Sequence, residues 1–262
     1  MSSQFDGLAQ MYEDMFALPW RKDLESHSVL AALGRVRGER VLDIGCGTGL
    51  YSRLLKAQGA DLVMGQDVSE GMLSYARAQE PADRRGIEYV RTLPSALEGT
   101  FDAALGVYVL PYAEQYAELV ELCGLAARAL KPGGRFVTLP VNPDYDGGRE
   151  YYRRYGLRLF DAEPRFDASK VTLELEFGPY QETITARYWS RRALERALTE
   201  VGFTDIGWPP FRVSDQGMRE HGASFWEPYL RSPHASLITC VKGPSTPGTA
   251  ARDTSVPPPS TP

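Results

Sequence analysis

The sequence contains few cysteines and histidines, and their spacing predicts no metal site. Its 262 residues include three cysteines, Cys46, Cys123 and Cys240, and three histidines. The cysteines are odd in number and scattered, so they predict neither a disulfide framework nor zinc-ligand spacing. We expect all three to be small buried hydrophobic side chains. No carboxylate–histidine cluster is evident in the sequence, and we predict no metal.

Long apolar runs and a surplus of basic charge are also lacking. No run approaches the roughly 20 residues of a membrane span, and the start shows no basic segment followed by an apolar core, as a signal peptide would. The net charge of -5 offers no basic surplus for a phosphate backbone. We therefore predict a cytoplasmic protein that binds neither nucleic acid nor membranes. The sequence leaves open whether it is a monomer or a dimer.

Glycine, by contrast, is concentrated at one informative place. Residues 41–44 read as a buried strand, Gly45, Gly47 and Gly49 form a turn, and residues 50–57 begin a helix. A dinucleotide-binding turn is one interpretation, but its G-x-G-x-x-G pattern needs a glycine where Leu50 stands. The strand also carries Asp43, which would repel a phosphate and suits a ligand with an ammonium group.

Residues 43–49 resemble motif I of the class I S-adenosylmethionine-dependent methyltransferases. The resemblance implies that Gly45 and Gly47 pack on S-adenosylmethionine, or on its product S-adenosylhomocysteine. It also implies that Asp43 lies near the methionine amino group. We keep dinucleotide binding as the weaker alternative.

A second acidic position follows the next predicted strand, residues 61–67. Asp67-Val68-Ser69 resembles the acidic site that follows motif I in this family, where a carboxylate accepts both ribose hydroxyls. A plain helix-capping role for Asp67 is the alternative. Met72, on the helix that Ser69 caps, is expected beside the adenine.

The remaining cofactor contacts are predicted at the ends of later strands. The family usually has an acidic residue after strand three, but this sequence has Thr92 there, followed by Leu93. Either the Thr92 hydroxyl or a backbone group replaces the acid, or stacking and apolar contacts hold the adenine. Gly106 and Val107, at the end of the fourth strand, and Tyr12 complete the predicted set.

The alternation of apolar runs with amphipathic segments predicts an α/β fold. We expect a Rossmann-like, seven-stranded, mostly parallel sheet with helices on both faces, an antiparallel last strand (236–242) and an inserted β-hairpin lid (171–188). Residues 130–135 resemble the family's LKPGG motif, which predicts that a helix stops there and that strand five begins at Arg135.

The predicted organisation has a helical cap, a methyltransferase domain with two substrate-lid insertions, and a tail. Pro, Ser, Thr and Gly dominate the tail, without apolar periodicity, so we expect it to be disordered. The boundaries are 1–37 for the cap, 38–242 for the domain, 141–188 and 209–234 for its insertions, and 243–262 for the tail.

The second half carries a narrower resemblance. Val141–Tyr145, Trp189–Arg191 and Phe225-Trp226 are similar to segments of the toxoflavin-type (azapteridine) N-methyltransferases. The sequence departs from that family at Asn142, Tyr108 and Pro111, where Asp, Trp and Asn are typical. The resemblance implies a planar nitrogen heterocycle as acceptor, which an aromatic pocket suits.

Seven side chains are predicted to contact the acceptor, and each could instead pack within a lid. They are Phe5, Tyr108, Tyr112, Asn142, Tyr180, Trp189 and Trp226. Phe5-Asp6 stands where the family typically has Tyr-Asp. His221 is the candidate base, although a lone loop histidine is more often a surface residue.

The sequence therefore predicts an S-adenosylmethionine-dependent methyltransferase that acts on a small molecule, most simply at a ring nitrogen, in natural-product biosynthesis. Such transfer needs orientation and a dry pocket more than a base. The alternatives are O- or C-methylation of a small aromatic metabolite, a cyclase that binds S-adenosylmethionine without methylating, and a non-catalytic S-adenosylmethionine-binding protein.

Overall fold

Seven strands form the central sheet, in the order β3-β2-β1-β4-β5-β10-β9. The computed structural model describes residues 5, 7–80, 86–146, 148–161 and 164–244. Asp6 and most of the predicted tail, residues 245–262, lie outside this part. The strands of the sheet are β1 Arg40–Ile44, β2 Leu62–Gln66, β3 Ile87–Val90, β4 Phe101–Val107, β5 Leu130–Leu139, β9 Phe203–Gly207 and β10 Ile238–Lys242.

The sheet confirms the predicted fold class. Strands β3, β2, β1, β4 and β5 pair in parallel, and β10 runs antiparallel between β5 and β9. The predicted antiparallel last strand, 236–242, is β10 Ile238–Lys242. This order brings the carboxyl ends of β1 and β4 side by side, at the point where ligands bind in open α/β sheets.

Helices cover both faces of this sheet. They are α1 Ala9–Met15, α2 His27–Leu33, α3 Leu50–Ala57, α4 Glu70–Ala78, α5 Tyr116–Ala129, α6 Arg191–Glu200, α7 Asp215–His221 and α8 Ala223–Arg231. A π-helical stretch, Trp20–Ser26, runs directly into α2. Among the described residues, none of the helices has the length and apolar character needed to cross a bilayer.

Alternate residues of the central strands pack into two different cores. Val41 of β1 packs with the N-terminal helices and the second sheet. Leu42 and Ile44 pack on the other face, against α5 and α6. The strands are therefore apolar on both faces, as expected for parallel strands covered by helices.

The predicted inserted hairpin is confirmed as β7 Lys170–Phe177 and β8 Tyr180–Arg187, and a strand that was not predicted, β6 Leu157–Asp161, adds to it to form a three-stranded antiparallel sheet. The predicted start of strand five was wrong. Strand β5 begins at Leu130, which pairs with Phe101, while Arg135 pairs with Ala103. The Lys131–Gly134 segment is thus an irregularity inside the strand. Its turn residues interrupt the ladder without ending it.

Candidate functional site

A cavity of about 430 Å³ lies at the carboxyl ends of β1, β2 and β4, within the size range of small-molecule sites. Six parts of the chain line it: the N-terminal segment, the π-helical stretch, the glycine turn with the start of α3, the start of α4 with the residues before it, the residues at and after the end of β4, and α5. The aromatic rings among the lining residues are Phe5, Tyr12, Tyr51, Tyr108 and Tyr112.

The glycine turn needs its glycines for backbone conformation and for space. Gly45, Gly47 and Gly49 have φ angles of 62°, 54° and 78°, in the left-handed region. A Cβ at Gly45 would lie 2.6 Å from Val109 Cγ2, and one at Gly49 2.3 Å from the Tyr89 hydroxyl oxygen. A Cβ at Gly47 would meet nothing within 4 Å. Gly47 therefore leaves open space where the turn faces the cavity.

Asp43 places a buried carboxyl group at the end of β1. Its Oδ2 accepts a hydrogen bond of 2.6 Å from the hydroxyl of Ser52, on the first turn of α3. Burial raises the pKa of Asp43 to about 7, because a buried charge loses its hydration. A cationic group beside this carboxylate would offset that loss.

Asp67 joins the turn after β2 to the glycine turn. Its Oδ2 accepts a hydrogen bond of 2.8 Å from the backbone N–H of Gly47, and its Oδ1 accepts one of 2.8 Å from Ser69 N–H. The Ser69 hydroxyl accepts from Met72 N–H and caps α4. Each carboxylate oxygen has two lone pairs, so Asp67 can hold the loops and still accept from a ligand.

The lining residues fit S-adenosylmethionine. Open space at Gly47 admits a ligand close to the backbone, Asp43 is a buried partner for an ammonium group, and Asp67 is an acceptor for hydroxyls. Val68, Met72, Val107 and Tyr12 also line the cavity, as predicted from the sequence. Their individual contacts with the cofactor remain predictions.

Three predicted cofactor residues do not line the cavity. Thr92 is exposed and Leu93 half-buried, beyond the end of β3. Gly106 faces the opposite side of the sheet, where a Cβ would lie 3.3 Å from the Phe136 ring. Because side chains alternate along a strand, the next residue, Val107, reaches the cavity instead.

One end of the cavity is aromatic, and it includes Phe5, Tyr108 and Tyr112, three rings that were predicted to contact an acceptor. Phe5 lies 5.0 Å from Tyr112 and 6.0 Å from Tyr12, both with edge-to-face geometry. Burial raises the pKa of Tyr12 to about 12 and that of Tyr112 well above its usual range. These rings form an uncharged wall at neutral pH.

Beside that wall is a buried ion pair that the sequence did not reveal. Arg21 Nη1 bonds to Glu25 Oε1 on the π-helical stretch. The Tyr51 hydroxyl donates to the same oxygen at 2.9 Å, and the Tyr108 hydroxyl donates to Glu25 Oε2 at 2.5 Å. Four-residue spacing of Arg and Glu usually indicates an exposed pair, so the sequence held no signal for this buried one.

His234 was also missed. It is buried, and its Nε2 lies 3.0 Å from the Tyr108 hydroxyl while its Nδ1 lies 2.6 Å from the Tyr229 hydroxyl. Burial, with a smaller effect of Arg21, lowers the pKa of His234 to about 3, so the ring is neutral. Its loop position gave no sequence signal of burial.

Four predicted acceptor residues are used elsewhere in the fold. The amide of Asn142 bonds to Pro233 O, Asp144 N and Ser236 Oγ. Trp226 is fully buried and donates to Gly217 O. The other two are Tyr180, whose hydroxyl donates to Asp14 on α1, and Trp189, buried in the core beside α5 and α6. Pro233 lies 91 positions from Asn142, and Asp14 lies 166 positions from Tyr180, so the sequence alone did not identify these partners.

His221, the candidate base, lies outside the cavity and stacks on Phe225 at 4.9 Å. The structure brings it together with Asp23 and Glu220, with one ligand atom from each within 4.8 Å of the others. Asp23 accepts from Ser214 Oγ, and Glu220 accepts from Gln216 Nε2. These bonds explain the grouping without an ion.

Comparison with known proteins agrees with this geometry. Residues 42–138 match the family described as "Methyltransferase domain". The ubiquinone biosynthesis O-methyltransferase of Idiomarina loihiensis is 34% identical over 109 residues, which are 40% of this chain and 43% of that protein. The chain thus spans less than half the length of this curated relative.

Solved structures show the same fold. An S-adenosylmethionine-dependent methyltransferase from Mesorhizobium loti has a TM-score of 0.60 at 23% identity, covering 87% of this chain and all of that one. A phosphoethanolamine N-methyltransferase from Haemonchus contortus, in complex with S-adenosylhomocysteine, has a TM-score of 0.55 at 18% identity, covering 91% of this chain and 58% of that one.

Residues 42–138 therefore match a methyltransferase domain, and the chain has the fold of S-adenosylmethionine-dependent methyltransferases, in agreement with the S-adenosylmethionine cofactor expected from the sequence. This confirms the resemblance seen in residues 43–49. The matches support that class and do not extend to the narrower toxoflavin-type resemblance, which remains a prediction.

Proposed function

We propose that the chain transfers a methyl group from S-adenosylmethionine to a ring nitrogen of a small planar heterocycle. The observation that carries this proposal is an aromatic cavity end, lined by Phe5, Tyr108 and Tyr112, whose buried neighbours Glu25 and His234 are both held in hydrogen bonds. Neither of these two groups is therefore available as a base. A ring nitrogen with an available lone pair needs none, whereas a phenol or a carbon acceptor requires proton removal.

Glu25 and His234, beside these rings, are already engaged or unsuited to take a proton. Glu25 accepts hydrogen bonds from Arg21, Tyr51 and Tyr108, which occupy both of its carboxylate oxygens. Both nitrogens of His234 are hydrogen-bonded, and its lowered pKa makes it a weak base.

S-adenosylmethionine, when bound, supplies a methyl group already activated on a sulfonium. The chain's own residues then have to orient the acceptor and exclude water, which accounts for a large part of such a rate enhancement. The rings of Phe5, Tyr108 and Tyr112 offer flat surfaces for a planar acceptor.

Methylation of an aromatic hydroxyl is the second candidate. The relatives named ubiquinone biosynthesis O-methyltransferase favour it. It would suit an acceptor acidic enough to ionise without a base from the protein. A cyclase or a non-catalytic binding protein would bind the cofactor without methylating either acceptor.

Two bicyclic probes of similar size separate these candidates. Purified protein is incubated with methyl-labelled S-adenosylmethionine and either isoquinoline, which offers a ring nitrogen, or 1-naphthol, which offers a hydroxyl. We expect label on isoquinoline and much less on 1-naphthol at neutral pH. Label on 1-naphthol alone would favour O-methylation. Cofactor binding without label on these probes or on pteridine-2,4-dione would contradict methylation of this acceptor class.

A further inference from the structure

The backbone at Tyr108 is strained at the edge of the acceptor pocket. Its φ is 58°, one of three non-glycine residues with positive φ among the described residues. Bulky side chains rarely adopt this conformation, and it persists only where the surroundings enforce it. The Tyr108 N–H donates to Leu139 O just beyond the β4–β5 pairing, so the residue is fixed to the sheet edge.

The side chain of Tyr108 is held in place by a directed hydrogen-bond chain. Glu25 is the acceptor of Arg21, Tyr51 and Tyr108, so the Tyr108 hydroxyl proton points to Glu25. The hydroxyl oxygen can then accept from His234 Nε2–H. His234 Nδ1 is left as an acceptor for the Tyr229 hydroxyl, so one tautomer satisfies every group.

The rings restrict Tyr108 further. His234 stacks beside it at 5.9 Å with 17° between the planes, and the Arg21 guanidinium lies 5.5 Å from its centroid. Asn142 holds the segment that carries His234, because its backbone N–H donates to His234 O and its side-chain amide donates to Pro233 O. The 209–234 insertion thus contacts Tyr108 of the cavity wall through His234, whereas its Trp226 donates to Gly217 O.

We propose that Tyr108 is a specificity-determining wall of the acceptor pocket, and that Glu25, His234 and Tyr229 are positioning residues that fix its ring. The proposal rests on the proposed function for the identity of the acceptor. The Tyr108 hydroxyl is already hydrogen-bonded to Glu25 and His234. The ring is therefore the part of the side chain that a planar acceptor would contact. A fixed ring limits which flat molecules fit beside it.

The first test needs no acceptor. Tyr229→Phe removes the hydrogen bond that His234 Nδ1 accepts, and Tyr152→Phe is the control, because the ring of Tyr152 is buried 6.3 Å from that of Tyr229 and lies outside the series of hydrogen bonds from Glu25 to Tyr229. Nuclear magnetic resonance of ¹⁵N-histidine and ring-labelled tyrosine follows both side chains, with signals assigned from His234→Gln and Tyr108→Phe.

We expect the wild type to carry the His234 proton on Nε2. In Tyr229→Phe the Tyr108 hydroxyl still accepts from Nε2–H, but His234 has lost one anchor, so we expect ring flips of Tyr108 roughly tenfold faster, as loss of about one hydrogen bond predicts. Tyr152→Phe should match the wild type. Equal Tyr108 flip rates in the two variants would overturn the positioning role.

The second test measures specificity. In the protein–S-adenosylhomocysteine complex, isoquinoline and 1-naphthol binding is compared by calorimetry in the wild type, Tyr229→Phe and Tyr152→Phe. We expect Tyr229→Phe to reduce the preference between the probes while S-adenosylhomocysteine affinity stays within twofold, as the strength of one indirect contact suggests. An unchanged preference would overturn the specificity role. Failure of the wild type to bind any planar probe would contradict the proposed acceptor, and the resonance test would still judge the positioning.

Discussion

Asp43 and Asp67 end neighbouring strands and line the same cavity, but different partners hold their carboxylates. Asp67 accepts from the backbone of Gly47 and Ser69, so it fixes two loops. Asp43 accepts from the Ser52 hydroxyl and lies fully buried. The protonation of Asp43 is therefore the property that a charged ligand changes most.

Binding of S-adenosylhomocysteine should strengthen as pH rises through the range below 7. The free protein holds a proton on Asp43 below its pKa of about 7, and a ligand ammonium needs the ionised carboxylate. Affinity should rise by up to about tenfold per pH unit from about pH 5.5 and level off near pH 7. Calorimetry over this range measures it.

Asp43→Asn is the control for that profile. The amide keeps the size of the side chain and cannot ionise, so the variant should bind weakly with a flat profile. His234 does not contribute, since its pKa of about 3 lies below the range. A wild-type affinity that stays constant from about pH 5.5 to 7 would show that Asp43 does not face the ammonium group.

Asp67→Ala should weaken S-adenosylhomocysteine binding by about 1.5–3 kcal/mol, the usual value of hydrogen bonds to a charged group. Part of the loss would come from the freed Gly47 loop. Asp61→Ala is the control, because Asp61 is exposed and precedes the other end of β2. A folded Asp67→Ala protein with wild-type affinity would restrict Asp67 to capping and loop contacts.

At the scale of elements, the π-helical stretch Trp20–Ser26 matters most for the site. It buries Arg21 and Glu25 side by side against the cavity. Its other end is held by Trp20, whose Nε1 donates to Tyr155 O. The stretch thus connects the second half of the chain to the ion pair.

Removing one partner of this ion pair should destabilise the fold more than removing both. Arg21→Met leaves Glu25 as an uncompensated buried charge, and such losses cost about 3–5 kcal/mol. The double variant Arg21→Met/Glu25→Met should recover most of that free energy of unfolding. Urea denaturation measures each variant.

Arg128→Met provides the matched control, since Arg128 pairs with Glu98 at 3.7 Å on the surface. Its effect should stay below about 1 kcal/mol. A double variant less stable than Arg21→Met would mean that the pair stabilises the fold beyond charge compensation.

Helix α8 contributes packing rather than an acceptor contact through Trp226. Trp226→Ala should lower the free energy of unfolding by about 3–5 kcal/mol, because it empties a fully buried site. Phe166→Ala is the control, with Phe166 66% exposed. If the Trp226 variant keeps wild-type stability but loses acceptor turnover, the sequence-based assignment to the pocket is right after all.

On the scale of the whole molecule, the features that the sequence predicted are those encoded within a few neighbouring residues. The glycine turn, Asp43 and the apolar strands are such features, and they identified the sheet and its cofactor edge. Phe5, Tyr108 and Tyr112 were predicted as pocket residues and line the cavity. Their contacts with an acceptor stay predictions.

The sequence did not predict which distant residues become hydrogen-bond partners. Asn142 bonds to residues about 90 positions away, and Glu25 meets Tyr108 across 83 positions. An aromatic residue in an insertion fits a pocket and a core equally well until its neighbours are known. The short strand β6 pairs with β7, and the sequence between them gave no hairpin turn to indicate it.

Because cavity residues come from the N-terminal segment through α5, cofactor binding should stabilise the whole domain. At a concentration about 100 times the dissociation constant, S-adenosylhomocysteine should add about 2.7 kcal/mol to the free energy of unfolding. For a domain of this size that corresponds to a Tm about 5–10 °C higher. NAD at the same concentration should leave the Tm unchanged, because Leu50 replaces the third glycine and Asp43 repels phosphate. Thermal denaturation followed by circular dichroism measures both shifts, and a larger shift with NAD would instead favour the dinucleotide-binding interpretation of the turn.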